Sequence, residues 1–383
     1  MRTLFLLRSV CSLVLLLGCI ALVAATPTHA AQQNFAAQEE GGDSSGFATD
    51  GPYVRRNPDG TFECKRVFVD EKGTRVEVEQ LPKSKTTFEL AVPEFAVPLT
   101  VTLRAPAEPE ATRFPAPQRL FVLSDIEGNL PALLRLLRAG GVVDERLNWT
   151  FGKGRLVFLG DMFDRGLQVT ECLWVLYELE ARAKAAGGAV HFVLGNHEVM
   201  NLTGDLRYVR RKYQQNALLM LESLEELYSS TSVLGQWLRT RNVALQIGDE
   251  LFVHGGVSPS VAASGATLEQ LNKTLHAALA AERWTKPTDG PLALAAGSPE
   301  GLIWYRGYLK APQIASEELD AVFEKLAVRR IVVGHTVVDD VSLVHGGRVL
   351  AVDVHHASGH SQAALRDKGG WQRVDANGAR TKL

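Results

Sequence analysis

The stretch that decides the fold is Leu156-Val157-Phe158-Leu159-Gly160-Asp161-Met162-Phe163-Asp164-Arg165-Gly166. Its four leading apolar residues indicate a strand that is buried on both faces. The glycine-flanked turn that follows carries two aspartates and an arginine, at the kind of strand end where ligands of open α/β sheets bind. Carboxylates beside a guanidinium suit a metal ion that also meets a phosphate group. Taken alone, the turn could equally be a solvated one in which Asp164 pairs with Arg165.

Four other apolar runs also end in residues that can bind a metal or a phosphate. They lead into Ser124-Asp125-Ile126-Glu127-Gly128-Asn129, Gly195-Asn196-His197-Glu198, His254-Gly255-Gly256 and Gly334-His335-Thr336. Continuous apolar strands that alternate with helices predict an α/β fold with a sheet covered on both faces. A single histidine of this kind is more often a core residue, but repetition at five strand ends indicates a common site.

The five strand ends offer a mixed set of ligands, namely Asp125, Asp161, Asn196, His254 and His335. Carboxylate, amide and imidazole groups together suit two divalent ions of borderline hardness. If Asp161 is shared between them, the two ions lie roughly 3.5–4 Å apart, as in two-metal phosphoryl-transfer sites. Such a pair lowers the pKa of a bridging water and clamps the attacking and leaving oxygens. The sequence therefore predicts a two-metal site for phosphoryl transfer.

Composition places the chain among globular proteins. It has 383 residues, of which 46% are hydrophobic and 22% charged, and its net charge is −2. This length allows one large domain with additions, or two domains. A dedicated nucleic-acid binder usually carries a basic stripe, so the near-neutral balance argues against a nucleic-acid partner.

The first thirty residues have the pattern of a secretory signal peptide. A basic start at Met1-Arg2 precedes an apolar stretch over 10–25, and Thr28-His29-Ala30 supplies small residues before a cut after Ala30. We predict export to the periplasm or the medium, with no stable membrane span once residues 1–30 are removed. An uncleaved anchor is one alternative. A lipoprotein cleavage box at Cys19 is another, disfavoured by the apolar residues that continue past it.

Three segments follow the signal peptide. Residues 31–50 have linker composition, 51–117 form a small β extension with a proline-rich connection, and 118–383 form the main domain. Within the extension, polar and apolar residues alternate over Thr61–Val69 and Arg75–Val78 around a Glu-Lys-Gly turn. This alternation predicts a β-hairpin.

Cys64 and Cys172 are the cysteines beyond the signal peptide, too few and too widely spaced for a zinc site or a disulfide scaffold. Cys172 fits the apolar pattern of a helix, which favours a small core residue. Whether the two cysteines pair is left open by the sequence, as is the oligomeric state.

Two other polar segments admit a functional interpretation. The stretch 353–360 holds three histidines, and a solvated loop is favoured there over a second metal site. His355 is the member nearest the expected active-site face. The basic stretch Arg207-Tyr208-Val209-Arg210-Arg211 is interpreted as a solvated helix face in preference to a substrate contact.

In their order along the chain, the motifs resemble those of metallophosphoesterases and, more narrowly, of the phosphoprotein phosphatase family. The matching stretches are Asp125-x-Glu127-Gly128-Asn129, Gly160-Asp161-x-x-Asp164-Arg165-Gly166, Gly195-Asn196-His197-Glu198, His254-Gly255-Gly256, Trp304-Tyr305-Arg306-Gly307 and Gly334-His335. The stretch 195–208 further resembles the Shewanella-like protein phosphatase branch. The resemblance covers about 119–365. It implies an α/β fold of the calcineurin-like type, a central two-sheet β-sandwich flanked by helices, instead of one doubly wound sheet.

The resemblance also implies a role for each motif residue. Asp125 and Asp161 would hold the first metal, and Asp161, Asn196, His254 and His335 the second. His197 would protonate the leaving oxygen and Asp164 would orient it, while Arg165 and Arg306 would bind phosphoryl oxygens. Hydroxide bridging the two metals would attack phosphorus directly. Manganese, iron or zinc are the usual metals of the family.

One motif departs from the family pattern, which is Asp-x-His-Gly where this chain has Asp125-Ile126-Glu127-Gly128. We predict that Glu127 replaces the imidazole as a metal ligand. A carboxylate there makes the first site harder, which favours manganese or magnesium. The alternative is that Glu127 turns away and leaves the first site weak or empty.

The sequence therefore predicts an exported, two-metal phosphomonoesterase that acts on phosphoproteins. The branch resemblance tilts the substrate towards phosphotyrosine, although the motifs do not separate it from phosphoserine or phosphothreonine. A hydrolase of small nucleotides or dinucleotide polyphosphates is the alternative within the same chemistry. A non-catalytic metal- or phosphate-binding protein is the alternative from another class, and the four retained residues His197, Asp164, Arg165 and Arg306 argue against it.

Overall fold

The strands described here come from a computed structural model, which describes residues 48–92, 98–281 and 283–383. The predicted signal peptide, with Cys19, and the linker up to residue 47 lie outside the described residues. The strands are β1 Asp50–Arg56, β2 Phe62–Asp70, β3 Gly73–Leu81, β4 Thr87–Leu90, β5 Leu99–Thr102, β6 Arg113–Phe114, β7 Leu120–Leu123, β8 Arg155–Phe158, β9 Ala189–Phe192, β10 Ala244–Ile247, β11 Glu250–Val253, β12 Arg330–Val333, β13 Ser342–Val344, β14 Val349–Ala351, β15 Gln362–Asp367, β16 Gly370–Asp375 and β17 Arg380–Lys382.

Helices connect most of the central strands. They are α1 Leu130–Ala139, α2 Val169–Ala185, α3 Asn196–Leu202, α4 Arg211–Leu219, α5 Leu224–Leu227, α6 Val233–Arg239, α7 Pro259–Ala263, α8 Leu268–Ala280, α9 Gly290–Ala296 and α10 Ser316–Leu326. Helix α8 begins at a capping box, because the Thr267 hydroxyl accepts from the Gln270 amide and the Gln270 side chain accepts from the Thr267 amide. No helix within the described ranges is long and apolar enough to cross a bilayer.

Two six-stranded sheets lie at the centre. One has the order β13-β14-β12-β11-β10-β6 and the other β17-β16-β15-β7-β8-β9. Strands β7, β8 and β9 are parallel to one another, as are β11, β12 and β14. The predicted α/β architecture of two central sheets flanked by helices is thus confirmed.

Alternation along each strand divides its side chains between two cores. In β7, Leu120 and Val122 lie in the core that joins the two sheets, together with Phe252 of the other sheet. The intervening Phe121 and Leu123 lie in the larger core that includes the helices. Because successive strand residues point to opposite faces, a run that is apolar throughout is what a sheet covered on both sides requires.

The N-terminal β extension shares the larger core with the central helices. Strands β2 and β3 form the predicted hairpin, with Asp70 opposite Gly73. Trp174 of α2 donates its Nε1 hydrogen to the Pro52 carbonyl at 2.8 Å. The Thr102 amide donates to Glu178 of the same helix at 2.9 Å. The extension therefore packs directly on α2 and covers its side chains.

Cys64 lies in the extension and Cys172 in α2, and the two are buried and not joined to each other by a disulfide bond. The question that the sequence left open is answered, because the two do not pair. Both belong to the larger hydrophobic core, where burial raises the pKa of the Cys64 thiol.

Candidate metal centre

The candidate ligands lie at the carboxyl ends of parallel strands, from both sheets. Asp125 follows β7, Asp161 follows β8 and Asn196 follows β9, all in one sheet. His254 directly follows β11 and His335 lies two residues beyond β12, both in the other sheet. The loops bond to one another, since the Asp125 amide donates to Gly160 and the Glu127 amide to Asp161. The site is therefore built where the edges of the two sheets meet.

Backbone strain is concentrated in these loops. Six of the ten non-glycine residues with a positive φ in the described ranges are predicted site residues: Asp125 (51°), Glu127 (49°), Asp161 (58°), Asp164 (71°), Arg165 (52°) and His335 (63°). Left-handed backbone is unfavourable for residues with a Cβ atom and persists where the surrounding structure enforces it. The strand–loop junctions thus hold these side chains in directions that a relaxed loop would not give.

Glycines beside the aspartates allow the carboxylates to approach the backbone. A Cβ atom on Gly195 would lie 2.2 Å from Asp161 Oδ1, and one on Gly334 would lie 2.6 Å from Asp125 Oδ2. Any larger residue would have to displace a candidate ligand. The glycines of the Gly-Asn-His and Gly-His motifs are therefore required by close packing against the carboxylates.

Asp161, His254 and His335 form the centre of the site. Their ligand atoms lie within 4.8 Å of one another, and all three residues are buried. Asp161 Oδ2 is 3.1 Å from His254 Nε2, which is also 3.1 Å from Asn196 Oδ1. This convergence of carboxylate, amide and imidazole groups is a donor set that a divalent ion of borderline hardness fits.

Main-chain carbonyls fix which nitrogen each imidazole presents. His254 Nδ1 lies 2.5 Å from the Leu159 carbonyl, and His335 Nε2 lies 3.1 Å from the Trp304 carbonyl. A carbonyl can only accept, so these nitrogens carry the hydrogen. His254 is left with Nε2, and His335 with Nδ1, as the unprotonated atom that can bind a metal.

The buried ionisable groups of the cluster shift one another's pKa values. Burial raises the pKa of Asp125 to about 6, and Asp161 adds to this effect. Burial alone would lower the pKa of His254, but Asp161 and then Asp125 raise it to about 10. Burial works against ionisation of Asp161, yet His254 and His197 lower its pKa below the usual range. In the metal-free protein a proton on His254 Nε2 therefore supplies positive charge beside Asp161, and a bound metal ion would replace that proton.

His197 and Asp164 form a hydrogen-bonded pair beside the cluster. His197 Nδ1 is 2.5 Å from Asp164 Oδ2, and His197 Nε2 is 3.8 Å from Asp161 Oδ2. Burial would lower the pKa of His197, but Asp161 and Asp164 raise it. The imidazole is thus held by a carboxylate on one nitrogen while the other faces the candidate ligands.

Two residues that sequence reasoning missed support this arrangement. Asn201 Nδ2 donates to both Asp164 oxygens at 3.1 and 3.2 Å and to the His197 carbonyl at 2.9 Å. The Glu198 carboxylate accepts from the amides of Asp161, Met162 and Gly195 at 2.7–2.8 Å. Both lie in the quoted 195–208 stretch, and His197 and Asn201 have the i, i+4 spacing that places two side chains on one helix face.

The two predicted phosphate-binding arginines differ in exposure. Arg165 is 54% exposed and its guanidinium contacts the Glu127 carboxylate. Arg306 is half-buried and donates to the His335 carbonyl and, at 3.4 Å, to the Thr336 hydroxyl. Glu127 is not among the ligand atoms that converge with Asp161, so its assignment as a metal ligand stays a prediction that this contact does not support.

The structure changes part of the interpretation of two polar segments, the basic stretch 207–211 and the histidine-rich stretch 353–360. Residues 207–210 are a loop that precedes α4, so the predicted helix face is wrong there. The Tyr208 ring lies 5.2 Å from the His197 ring, at the rim of the site. In the histidine-rich stretch, His355 is exposed, but His356 is buried and its Nε2 donates to the Ser124 carbonyl at 3.2 Å. Within the described ranges, no second group of three metal-ligating side chains converges there.

The comparisons with known proteins agree on the family. Residues 118–339 match the calcineurin-like phosphoesterase family. Shewanella-like protein phosphatase 2 of Arabidopsis thaliana is 25% identical over 296 residues, 65% of this chain and 74% of the plant protein. Shewanella-like protein phosphatase 1 of Plasmodium berghei (strain Anka) is 26% identical over 226 residues, 57% of this chain and 61% of that protein. The crystal structure of a cold-active protein-tyrosine phosphatase from a psychrophilic Shewanella species superposes with a TM-score of 0.79 at 33% identity, covering 88% of this chain and 99% of that one.

Proposed function

This chain belongs to the calcineurin-like phosphoesterase family and is a phosphoester hydrolase, and we propose that its substrates are proteins that carry phosphotyrosine. One observation supports the hydrolase chemistry more than any other. The His197–Asp164 pair, a proton donor with its orienting carboxylate, lies directly beside the converging ligands around Asp161. Metal binding alone needs no such pair, which argues against a non-catalytic binding protein.

Two divalent ions would be held by Asp125, Asp161, Asn196, His254 and His335. We propose manganese for this site, because oxygen ligands outnumber imidazoles and no thiolate is present among the candidate ligands. When bound, the metals supply Lewis acidity and lower the pKa of a coordinated water.

The remaining groups bind, orient and transfer a proton. Arg165 and Arg306 would bind the phosphoryl oxygens through their planar guanidinium groups. His197 Nε2 would give its proton to the leaving oxygen, while Asp164 keeps the hydrogen on Nδ1. Both cysteines of the described residues are buried in the hydrophobic core, so neither is placed as a nucleophile, and the proposal is that water attacks phosphorus without a covalent phosphoenzyme.

Two observations support an aryl phosphate substrate. The Shewanella enzyme that is 33% identical to this chain is named a protein-tyrosine phosphatase. In addition, the centroid of the Tyr208 ring lies 5.2 Å from that of His197, the proposed proton donor. A flat aromatic leaving group can pack against such a ring, whereas a serine or threonine side chain is too short to do so.

Export remains part of the proposal. The basic start, the apolar stretch and the small residues before Ala31 are the features that support it. Mass spectrometry of the protein recovered from the periplasm or medium should give an N-terminus at Ala31. An intact Met1 in the soluble protein would contradict it.

The assay for the proposed function is hydrolysis of p-nitrophenyl phosphate by the purified protein with added Mn²⁺. Loss of the proton donor in His197→Ala should lower kcat by about 10²–10⁴-fold. The matched control is His360→Ala, an exposed histidine whose Nε2 lies 3.3 Å from Asp340, which should keep wild-type activity. No turnover with any divalent metal would contradict the proposal.

A substrate panel tests the preference for phosphotyrosine. Matched phosphotyrosine, phosphoserine and phosphothreonine peptides are compared with a dinucleoside polyphosphate by kcat/KM. Tyr208→Leu should lower the tyrosine-to-serine ratio by about 2–10-fold, because an aromatic contact contributes about 0.5–1.5 kcal/mol, while Tyr208→Phe should preserve it. A preference for the dinucleotide would replace the proposal with the nucleotide alternative.

A further inference from the structure

Asp353 lies at a sixth strand end, which the sequence did not single out. Strand β14 runs parallel to β12, with Val333 opposite Ala351. Asp353 lies two residues beyond the end of β14, just as His335 lies two residues beyond the end of the neighbouring β12. The Val352 amide donates to the Val333 carbonyl at 2.9 Å, so the two strands remain bonded up to this point. Asp353 is therefore delivered to the same edge of the sheet as a candidate metal ligand.

The Asp353 carboxylate is buried without a protein partner. The residue is 3% exposed, and no hydrogen bond or ion pair to its carboxylate occurs within residues 48–92, 98–281 and 283–383. An unpaired buried carboxylate is costly, and native proteins rarely tolerate one without a partner such as a metal ion. Its side chain thus has the environment of an unused ligand.

The pKa of Asp353 depends mainly on burial and on the charges of the candidate metal centre. After burial, Asp125 and Asp161 raise its pKa, whereas His254 and Arg306 lower it. All four belong to the candidate metal centre or to its phosphate-binding arginines. The charges with the largest effect on Asp353 are therefore those of the candidate metal centre, at the sheet edge where β14 ends.

The first metal needs such a ligand. Glu127, which stands where the family has an imidazole, contacts Arg165 instead of the cluster. This leaves Asp125 and the shared Asp161 for the first metal, whereas Asn196, His254 and His335 remain for the second. Two carboxylates are few for a divalent ion such as Mn²⁺, which prefers an octahedral set of oxygen ligands.

We propose that Asp353 is a ligand of the first metal and takes the place that the motif assigns to Glu127. This inference rests on the two-metal function proposed above. The first metal then has the carboxylates of Asp125, Asp161 and Asp353, while the second has two imidazoles. An all-carboxylate site is hard and selects manganese or magnesium, and a site with two imidazoles also accepts zinc.

Metal stoichiometry of the purified full chain tests the proposal without relying on activity. Wild type, Asp353→Asn and Glu127→Gln are dialysed against a series of Mn²⁺ concentrations, and bound manganese per chain is measured by mass spectrometry. Wild type and Glu127→Gln should bind two ions each. Asp353→Asn should bind one ion at concentrations that saturate wild type, with the affinity for the other lowered by more than about 100-fold, beyond the roughly 10–100-fold cost of losing an outer-shell partner.

The alternatives give different outcomes. Two ions in Asp353→Asn with wild-type affinity would overturn the inference, and loss of one ion in Glu127→Gln alone would return the role to Glu127. Fewer than two ions in wild type would overturn the two-metal function itself, and the inference with it. Asp353→His provides a second variant: it should restore two-ion binding and shift the first site towards Co²⁺, seen as a d–d absorption band. Failure of Asp353→His to bind a second ion of either metal, in a folded protein, would count against Asp353 as a ligand.

Discussion

The two halves of the metal centre are held in different ways. In the imidazole half, His254 and His335 each bond a main-chain carbonyl through the nitrogen that does not face the site. In the carboxylate half, Asp125 accepts from the Ser124 hydroxyl and the His335 amide, Glu127 contacts Arg165, and Asp353 has no protein partner. The backbone fixes the direction of the first group, whereas side chains and the cation decide that of the second.

This difference has a chemical consequence. A ligand whose second polar atom is bonded to the main chain is oriented before the metal arrives, so it contributes affinity at little entropic cost. A buried carboxylate without a partner raises the free energy of the metal-free protein, and binding a cation removes that penalty. The imidazole half is thus preorganised, and the carboxylate half depends on metal for its stability.

The largest effect is expected from Glu198, which holds the loop of Asp161, the ligand that the two metals would share. Its carboxylate accepts three buried main-chain hydrogens from the loops of β8 and β9. Glu198→Ala leaves those donors unsatisfied, at about 1–3 kcal/mol each, so the free energy of unfolding should fall by at least about 3 kcal/mol. Urea denaturation of the metal-free protein measures it. Glu225→Ala, an exposed glutamate of α5, is the control, and equal losses in the two variants would contradict the role of Glu198.

A smaller, pH-dependent effect is expected from His356, which bonds the Ser124 carbonyl next to Asp125. Burial lowers its pKa to about 4, so the folded protein keeps it neutral, while the unfolded chain is protonated below the ordinary histidine pKa of about 6.5. Stability is therefore lost as pH falls from about 6.5 towards about 4, by about 2 kcal/mol at pH 5.

Comparing His356→Gln with His355→Gln isolates this contribution, because His355 is exposed. Urea denaturation at pH 7 and pH 5 should show a smaller loss of stability on acidification for His356→Gln than for wild type. The His355→Gln protein should keep the wild-type pH dependence. Identical pH dependence in the two variants would show that protonation of His356 does not limit stability.

The smallest effect is expected from Glu127. Its contact with Arg165 competes with a substrate phosphate for the same guanidinium, so Glu127→Gln should lower KM for p-nitrophenyl phosphate by about 2–5-fold. Arg165 is half-exposed, and salt should therefore shrink the difference. A raised KM would mean that Glu127 holds the arginine in its binding orientation. Manganese content measured in parallel separates both results from loss of a metal.

The imidazole half was predictable because each of its residues closely follows an apolar run. His254 comes one residue after the apolar run 251–253 and His335 two residues after the run 331–333, and parallel strands bring such ends to one edge. The two central sheets and the β2–β3 hairpin followed from alternation and apolar runs in the same way. The prediction therefore succeeded where a local pattern fixes a position in the sheet.

The carboxylate half was not predictable to the same degree. The motif places Glu127 correctly in its loop, but no local pattern tells whether its carboxylate meets a metal or Arg165. Asp353 follows β14, a strand of three residues, and so short a strand gives only a weak signal of a strand end in the sequence. His356 was assigned to a solvated loop, yet its burial comes from long-range packing against the strand end at Ser124.

The packing of the N-terminal strands against α2 has a practical consequence. The family match starts at residue 118, but the Trp174 indole and the Tyr177 hydroxyl bond to Pro52 and Arg104, upstream of that point. A clone that begins at residue 118 would expose a large aromatic surface to water, and its product should collect in inclusion bodies. The catalytic unit that can be produced and crystallised begins near the first strand, well before the homology does.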